Sequence, residues 1–139
     1  MKIPLYTLAL FVAMIGFLKP VVAKSVTINL GKDTTRKITH PKEAMSDAEA
    51  GTVLKALQQK NNDKEKIAEF KSLLKGKGIN MDQLIKLLNQ FLTDDAKLES
   101  AQYAFAYTTN YKSFLRIMDL FQQEGYKYKL EDYYDKNRK

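Results

Sequence analysis

The chain has 139 residues, a formal net charge of +7, no Cys and a single His. Without Cys there are no disulfides, thiolate metal sites, Cys nucleophiles or lipid-modified Cys, and one His leaves no room for a His-rich metal site. The charge does not point to nucleic acid. Removing Lys2 and Lys19 with the leader described next lowers it to +5, of which residues 24–45 hold +3 and residues 46–139 only +2. A phosphate-binding face needs clustered cations, and the sequence offers none.

Lys2 precedes an apolar run from Leu5 to Leu18, which Lys19-Pro20 breaks. The run is short of the roughly 20 residues that span a bilayer. Val21-Val22-Ala23 has the small residues of a cleavage site. Residues 1–23 therefore read as a secretory signal peptide removed after Ala23, in preference to a retained anchor. The expected location is periplasmic or secreted, with no transmembrane span in the mature chain.

Residues 24–45 read as a basic N-terminal arm. Val26, Ile28 and Leu30 alternate with Thr27 and Asn29 in a short strand pattern that Gly31 ends. A lone strand has no sheet to join, so the arm is expected to be flexible or loosely packed, or to pair with another molecule. His40-Pro41 leads into the helices, and His40 reads as structural or exposed.

Residues 46–136 form a helical repeat domain. Ser46-Asp47-Ala48-Glu49 is a capping box for a first helix to about Lys60, with Val53, Leu54 and Leu57 inward. Asn62, with Glu65, caps a second, buries Ile67, Phe70 and Leu74, and Gly76-Lys77-Gly78 stops it. Asn80 caps a third that buries Leu84, Ile85, Leu87, Leu88 and Phe91. Thr93 caps a fourth, with Asp94 and Asp95 against the positive end of the helix dipole and Leu98, Ala101 and Phe105 inward. Asn110 is expected to cap a fifth that buries Phe114, Leu115, Ile117, Met118 and Phe121 and ends at Gly125. A short last helix covers about Leu130 to Tyr134. The segment from Asn80 to Phe91 repeats from Asn110 to Phe121, and more faintly from Ser46. The fold class is thus all-α, three stacked helical hairpins with about six short helices and one shared core.

Thr93-Asp94-Asp95-Ala96-Lys97-Leu98-Glu99-Ser100-Ala101-Gln102-Tyr103-Ala104 resembles the central signature of the bacterial family called domain of unknown function 4476. The preceding Leu87 to Phe91, the later Asn110-Tyr111 and Phe121, Leu130-Glu131-Asp132-Tyr133, and the opening His40-Pro41 and Ser46 resemble that family too. The likeness covers about residues 40–134. It departs at Leu92-Thr93, where many relatives have a small residue and a second Phe. The resemblance implies an exported, largely helical protein of the type frequent in Bacteroidetes, with no established activity and no catalytic residues to carry over.

No catalytic constellation stands out. Asp94-Asp95 with Glu99 lacks the alternating oxygen ligands and Gly turn of a calcium loop. Gly76-Lys77-Gly78 lacks the length of a phosphate loop. No pair of carboxylates is singled out for hydrolysis. No cofactor or metal is expected, and the protein is expected not to be an enzyme.

All seven tyrosines beyond residue 23 lie between residues 103 and 134. Packing between the last helices accounts for many of them. Tyrosine also suits interfaces that are half apolar and half wet. The candidate partner-binding residues are therefore Tyr126, Lys127, Tyr128, Lys129, Tyr133 and Tyr134. The expected function is a protein-interaction module of the cell envelope, taking an envelope or extracellular protein and no nucleic acid. The alternative is polyanion or glycan binding at the cell surface, with weak help from the basic arm.

Overall fold

The structure is a computed structural model that describes residues 37–139. The leader at 1–23 and the strand pattern at Val26–Leu30 lie outside the described residues. Among the described residues five α-helices and one 3-10 helix follow one another: α1 (Asp47–Gln58), α2 (Asp63–Leu74), α3 (Met81–Leu88), α4 (Asp94–Phe105), the 3-10 helix (Tyr111–Leu120) and α5 (Glu124–Asn137). None is long and apolar enough to cross a membrane.

The helices pair into three hairpins that stack in chain order. The first helix of each hairpin packs on the next first helix, α1 on α3 and α3 on the 3-10 helix. The second helices do the same, α2 on α4 and α4 on α5. Their shared core holds Phe70, Leu84, Leu88, Phe105, Phe114, Ile117 and Leu130, all shut off from solvent. Helix α4 sits in the middle, against α2, α3 and α5. It is buried on several sides, and Ala96, Ser100, Ala101 and Ala104 are small enough to admit three neighbours.

The caps follow the sequence closely. Ser46 and Glu49 close a reciprocal capping box, and Asn80 does so with Gln83. Asn62 accepts from the Glu65 amide at 2.9 Å, and Thr93 Oγ1 from the Ala96 amide at 3.3 Å. Gly76 takes a φ of +76° past the end of α2, a conformation that favours glycine.

The third hairpin differs from its expected form. Its first helix is 3-10, with Tyr111, Phe114, Ile117 and Leu120 at intervals of three; Phe114 and Ile117 are buried, while Leu115 and Met118 are only partly covered. Asn110 does not cap it. The Asn110 Oδ1 instead accepts the Met81 amide of the preceding hairpin at 3.1 Å. Gly125 does not end this helix either; it lies in the first turn of α5, which runs on for 14 residues to Asn137. A 3-10 helix rises about 2.0 Å per residue against about 1.5 Å in an α-helix. The tighter winding lets ten residues stretch further between two anchors, the Thr109 amide on Ile79 O at 2.9 Å and the Leu120 carbonyl on Lys97 at 3.0 Å.

Residues 37–45, assigned to the arm by sequence, lie on the helices. Met45 is buried, and its amide donates to Gly78 O at 2.7 Å. His40 Nδ1 lies 3.0 Å from Thr108 O, and its ring stacks on Tyr111 with centroids 3.8 Å apart. His40 is thus structural. The segments leading into the hairpins line one edge of the stack: Met45 bonds Gly78, and Ile79 exchanges bonds with Tyr107 and Thr109.

Candidate functional site

The opposite edge carries the hairpin turns, and a repeated polar joint holds them. Asp63, the first residue of α2, accepts the Leu92 and Thr93 amides of the next turn at 2.9 Å. Asp94, the first residue of α4, accepts the Gln122 and Gln123 amides at 2.9 Å each. Three residues on, Lys66 donates to Gln90 O at 2.7 Å and Lys97 to Leu120 O at 3.0 Å. One acid and one lysine on each of α2 and α4 therefore bind the amides and the carbonyl that the next hairpin leaves open at its turn.

This geometry explains Asp94-Asp95 better than helix capping alone. Asp94 is 7 % exposed and Lys97 8 %, both spent on holding the third hairpin. Asp95 stays exposed and faces the Tyr126 hydroxyl, whose pKa it raises. Burial would push the Asp63 carboxyl up, but its hydrogen bonds to Leu92 and Thr93 and the nearby Lys66 hold it below the usual value. Among the described residues no cluster of three or more His, Cys, Asp or Glu could hold a metal ion.

The six candidate residues of the last helix divide by burial. Tyr134 is buried, with its hydroxyl on Lys112 O at 3.3 Å and Arg138 over its ring. Tyr133 is half-buried and donates to Gln102 O at 3.0 Å; burial raises its pKa. These two join His40, Tyr111 and Phe114 around Phe105, so most of each ring is spent on packing. Tyr126 lies flat beside Phe121, under Lys129 Nζ at 4.6 Å. Lys127 pairs with Glu124 at 2.5 Å. Tyr128 is 67 % exposed.

Sequence reasoning passed over Leu92, which is 73 % exposed at the middle turn. It borders a hollow of about 320 Å³ with Thr93, Asp95, Gln122 and Tyr126. A second hollow, of about 490 Å³, is lined by Tyr111, Lys112, Tyr134, Arg138 and Lys139.

Fold and surface together define a helical, cysteine-free domain of three stacked hairpins, without a catalytic-looking site among the described residues. The chain belongs to the family described as domain of unknown function (DUF4476), whose model matches residues 44–134. No curated protein and no solved structure gives a significant match.

Proposed function

We propose that this protein is an exported, non-enzymatic module that holds a protein partner at the cell envelope through its turn edge. The observation that carries the reading is Leu92, an apolar side chain 73 % exposed on a turn whose two amides are fastened to Asp63. Its backbone is already ordered, so a partner that covers it and the neighbouring Tyr126 loses little entropy in ordering that surface. Export rests on the leader-like residues 1–23. The test is crosslinking capture from envelope and secreted fractions. Leu92→Ser with Tyr126→Ala is expected to abolish capture of the partner while circular dichroism stays helical. Capture unchanged by that pair removes the turn edge from the account.

The second reading is a polyanion or anionic glycan. It is favoured by Lys112, Arg138 and Lys139 around the hollow at Tyr111 and Tyr134. Binding of an anionic polysaccharide that falls steeply with added salt, and is lost in Lys112→Ala with Arg138→Ala, would support it over the first. Salt-independent capture would count against it.

A further inference from the structure

The first hairpin departs from the repeat at one place. Counted from Ser46, Asn80 and Asn110, Ala50-Gly51 stands where the second hairpin has Leu84-Ile85 and the third has Phe114-Leu115. Leu84 and Phe114 are shut off from solvent, and Ile85 and Leu115 pack against the core. Gly51 supplies no side chain at that position, and a Cβ built on it meets no described atom within 4 Å. It lies inside α1 without a positive φ. Neither crowding nor backbone geometry calls for glycine there, and glycine costs a helix stability relative to alanine.

A hollow of about 200 Å³ lies at this point between α1 and α3, walled by Ala50, Gly51, Leu54 and Leu87. One end is fixed by hydrogen bonds. Gln83 is buried there, and its Nε2 donates to Met45 O at 2.9 Å and to Asp47 Oδ1 at 3.0 Å. Its Oε1 accepts the Asn80 amide at 3.3 Å. The wall is therefore ordered before anything enters. Exposed Lys86 stands on the rim and makes that side positive, while exposed Asp47 makes the Gln83 end negative. Sites for whole small molecules begin at about 300 Å³. This hollow is smaller, and it suits a single aliphatic side chain.

We propose that the groove between α1 and α3 is a docking site for a peptide segment of a protein partner, which inserts a Leu or Ile over Gly51 and sets an adjacent Asp or Glu on Lys86. The inserted side chain takes the place that Ile85 and Leu115 fill in the other hairpins, and its burial on Ala50, Leu54 and Leu87 carries the affinity. The exposed ion pair adds little strength. It fixes direction instead, because Lys86 repels a basic neighbour and Asp47 repels an acid placed at the other end. The site is a second contact, built on α1 and α3, and does not depend on the turn edge at Leu92.

The test is selection of random displayed peptides on the full chain, as the cell processes it, after depletion on Gly51→Leu. The recovered peptides are expected to share a Leu or Ile beside an Asp or Glu. One of them, made synthetically, is then titrated by calorimetry. Gly51→Leu is expected to weaken it by about tenfold or more. The thermal midpoint of that variant should not fall, so lost binding is not lost folding. Should it fall, Gly51→Ala, with its smaller side chain, decides by weakening the peptide while the helices stay intact. Lys86→Glu should weaken the peptide too, and the same peptide with its acid replaced by Lys should bind Lys86→Glu better than it binds the wild type. Leu92→Ser with Tyr126→Ala should bind the peptide as the wild type does, so the turn edge and this groove stand or fall separately. No shared sequence among the peptides, equal binding to the wild type and the Gly51 variants, indifference to the charge exchange at Lys86, or loss of the peptide in the Leu92 and Tyr126 pair would each overturn the proposal.

Discussion

Asp63 and Asp94 have the same role one hairpin apart, yet they differ in burial, and that difference sets what each substitution costs. Asp94→Ala leaves the Gln122 and Gln123 amides without an acceptor and Lys97 without its nearby carboxylate at 3.9 Å. Because Asp94 and Lys97 are themselves buried, the loss is expected to destabilise by about 3 kcal/mol in urea unfolding. Asp63→Ala, whose amide partners are exposed and can turn to water, is expected to cost about 1 kcal/mol. Because the Asp63 pKa is lowered in the fold, its contribution is complete above the ordinary carboxylate value and is lost as pH falls through the lowered one. Asp63→Asn should remove that acid-limb dependence from a stability titration. His40 behaves in a related way. Desolvation lowers its pKa, against the hydrogen bonds to the Thr108 and Phe105 backbone. The fold therefore holds the proton less well than the unfolded chain. Its stabilisation is full above the ordinary His value near 6.5 and declines as pH falls from there to the lowered pKa. His40→Gln is expected to flatten the stability curve over that interval, read by urea midpoints at successive pH values. A curve unchanged by the substitution would detach the clasp on Tyr111 from the pH response.

Elements that carry their own instructions were legible in the sequence. The caps at Ser46, Asn62, Asn80 and Thr93 act within four residues of themselves, and the structure has all four. The third hairpin was misread because its determinants are not local. Phe114 and Ile117 fit a period of 3.0 or 3.6 equally well, and what chooses between them is the distance between anchors on Ile79 and Lys97. Asn110 has the same residue type as the cap at Asn80, but its side chain is taken by Met81 from another hairpin. Glycine gave a similar ambiguity. Gly125 has an ordinary φ and nothing within 4 Å of an added Cβ, so it is a weak point of α5 rather than a stop signal. Gly125→Ala is expected to raise stability by about 0.5–1 kcal/mol, seen as a higher thermal midpoint. Gly78→Ala is the opposite case. Its Cβ would fall 1.8 Å from the Glu43 carbonyl, where backbone must move. That should break the Met45 to Gly78 bond and release residues 37–45. Faster proteolysis ahead of α1, with the helices retained, would report it.

At the scale of the molecule, the order of hairpins could be read from the repeat, while the site could not. Six nearby residues of the last helix were the sequence's best candidates, but a helix turns neighbours to different sides: Tyr134 went to the core, Tyr133 packed half-buried against it and Tyr128 went outward. Leu92 carries no signal of exposure in its own type; the turn it occupies and the aspartate that holds that turn decide it. The same long-range joints bear on how the stack unfolds. In a repeat protein, stability divides between each unit and its contact with the next. Here each contact combines apolar packing with one aspartate–lysine joint, so weakening one joint should loosen one boundary. Asp94→Ala is expected to speed amide hydrogen exchange in the 3-10 helix and α5 well above any change in α1 and α2. Asp63→Ala should give the mirror image, with α1 and α2 exchanging faster than α5. Helix α4 should remain the slowest in both, because it is packed on α2, α3 and α5 together. Exchange that rises equally across all six helices in either variant would mean that the core binds the hairpins into one cooperative unit. The joints would then set alignment along the stack without setting where it opens.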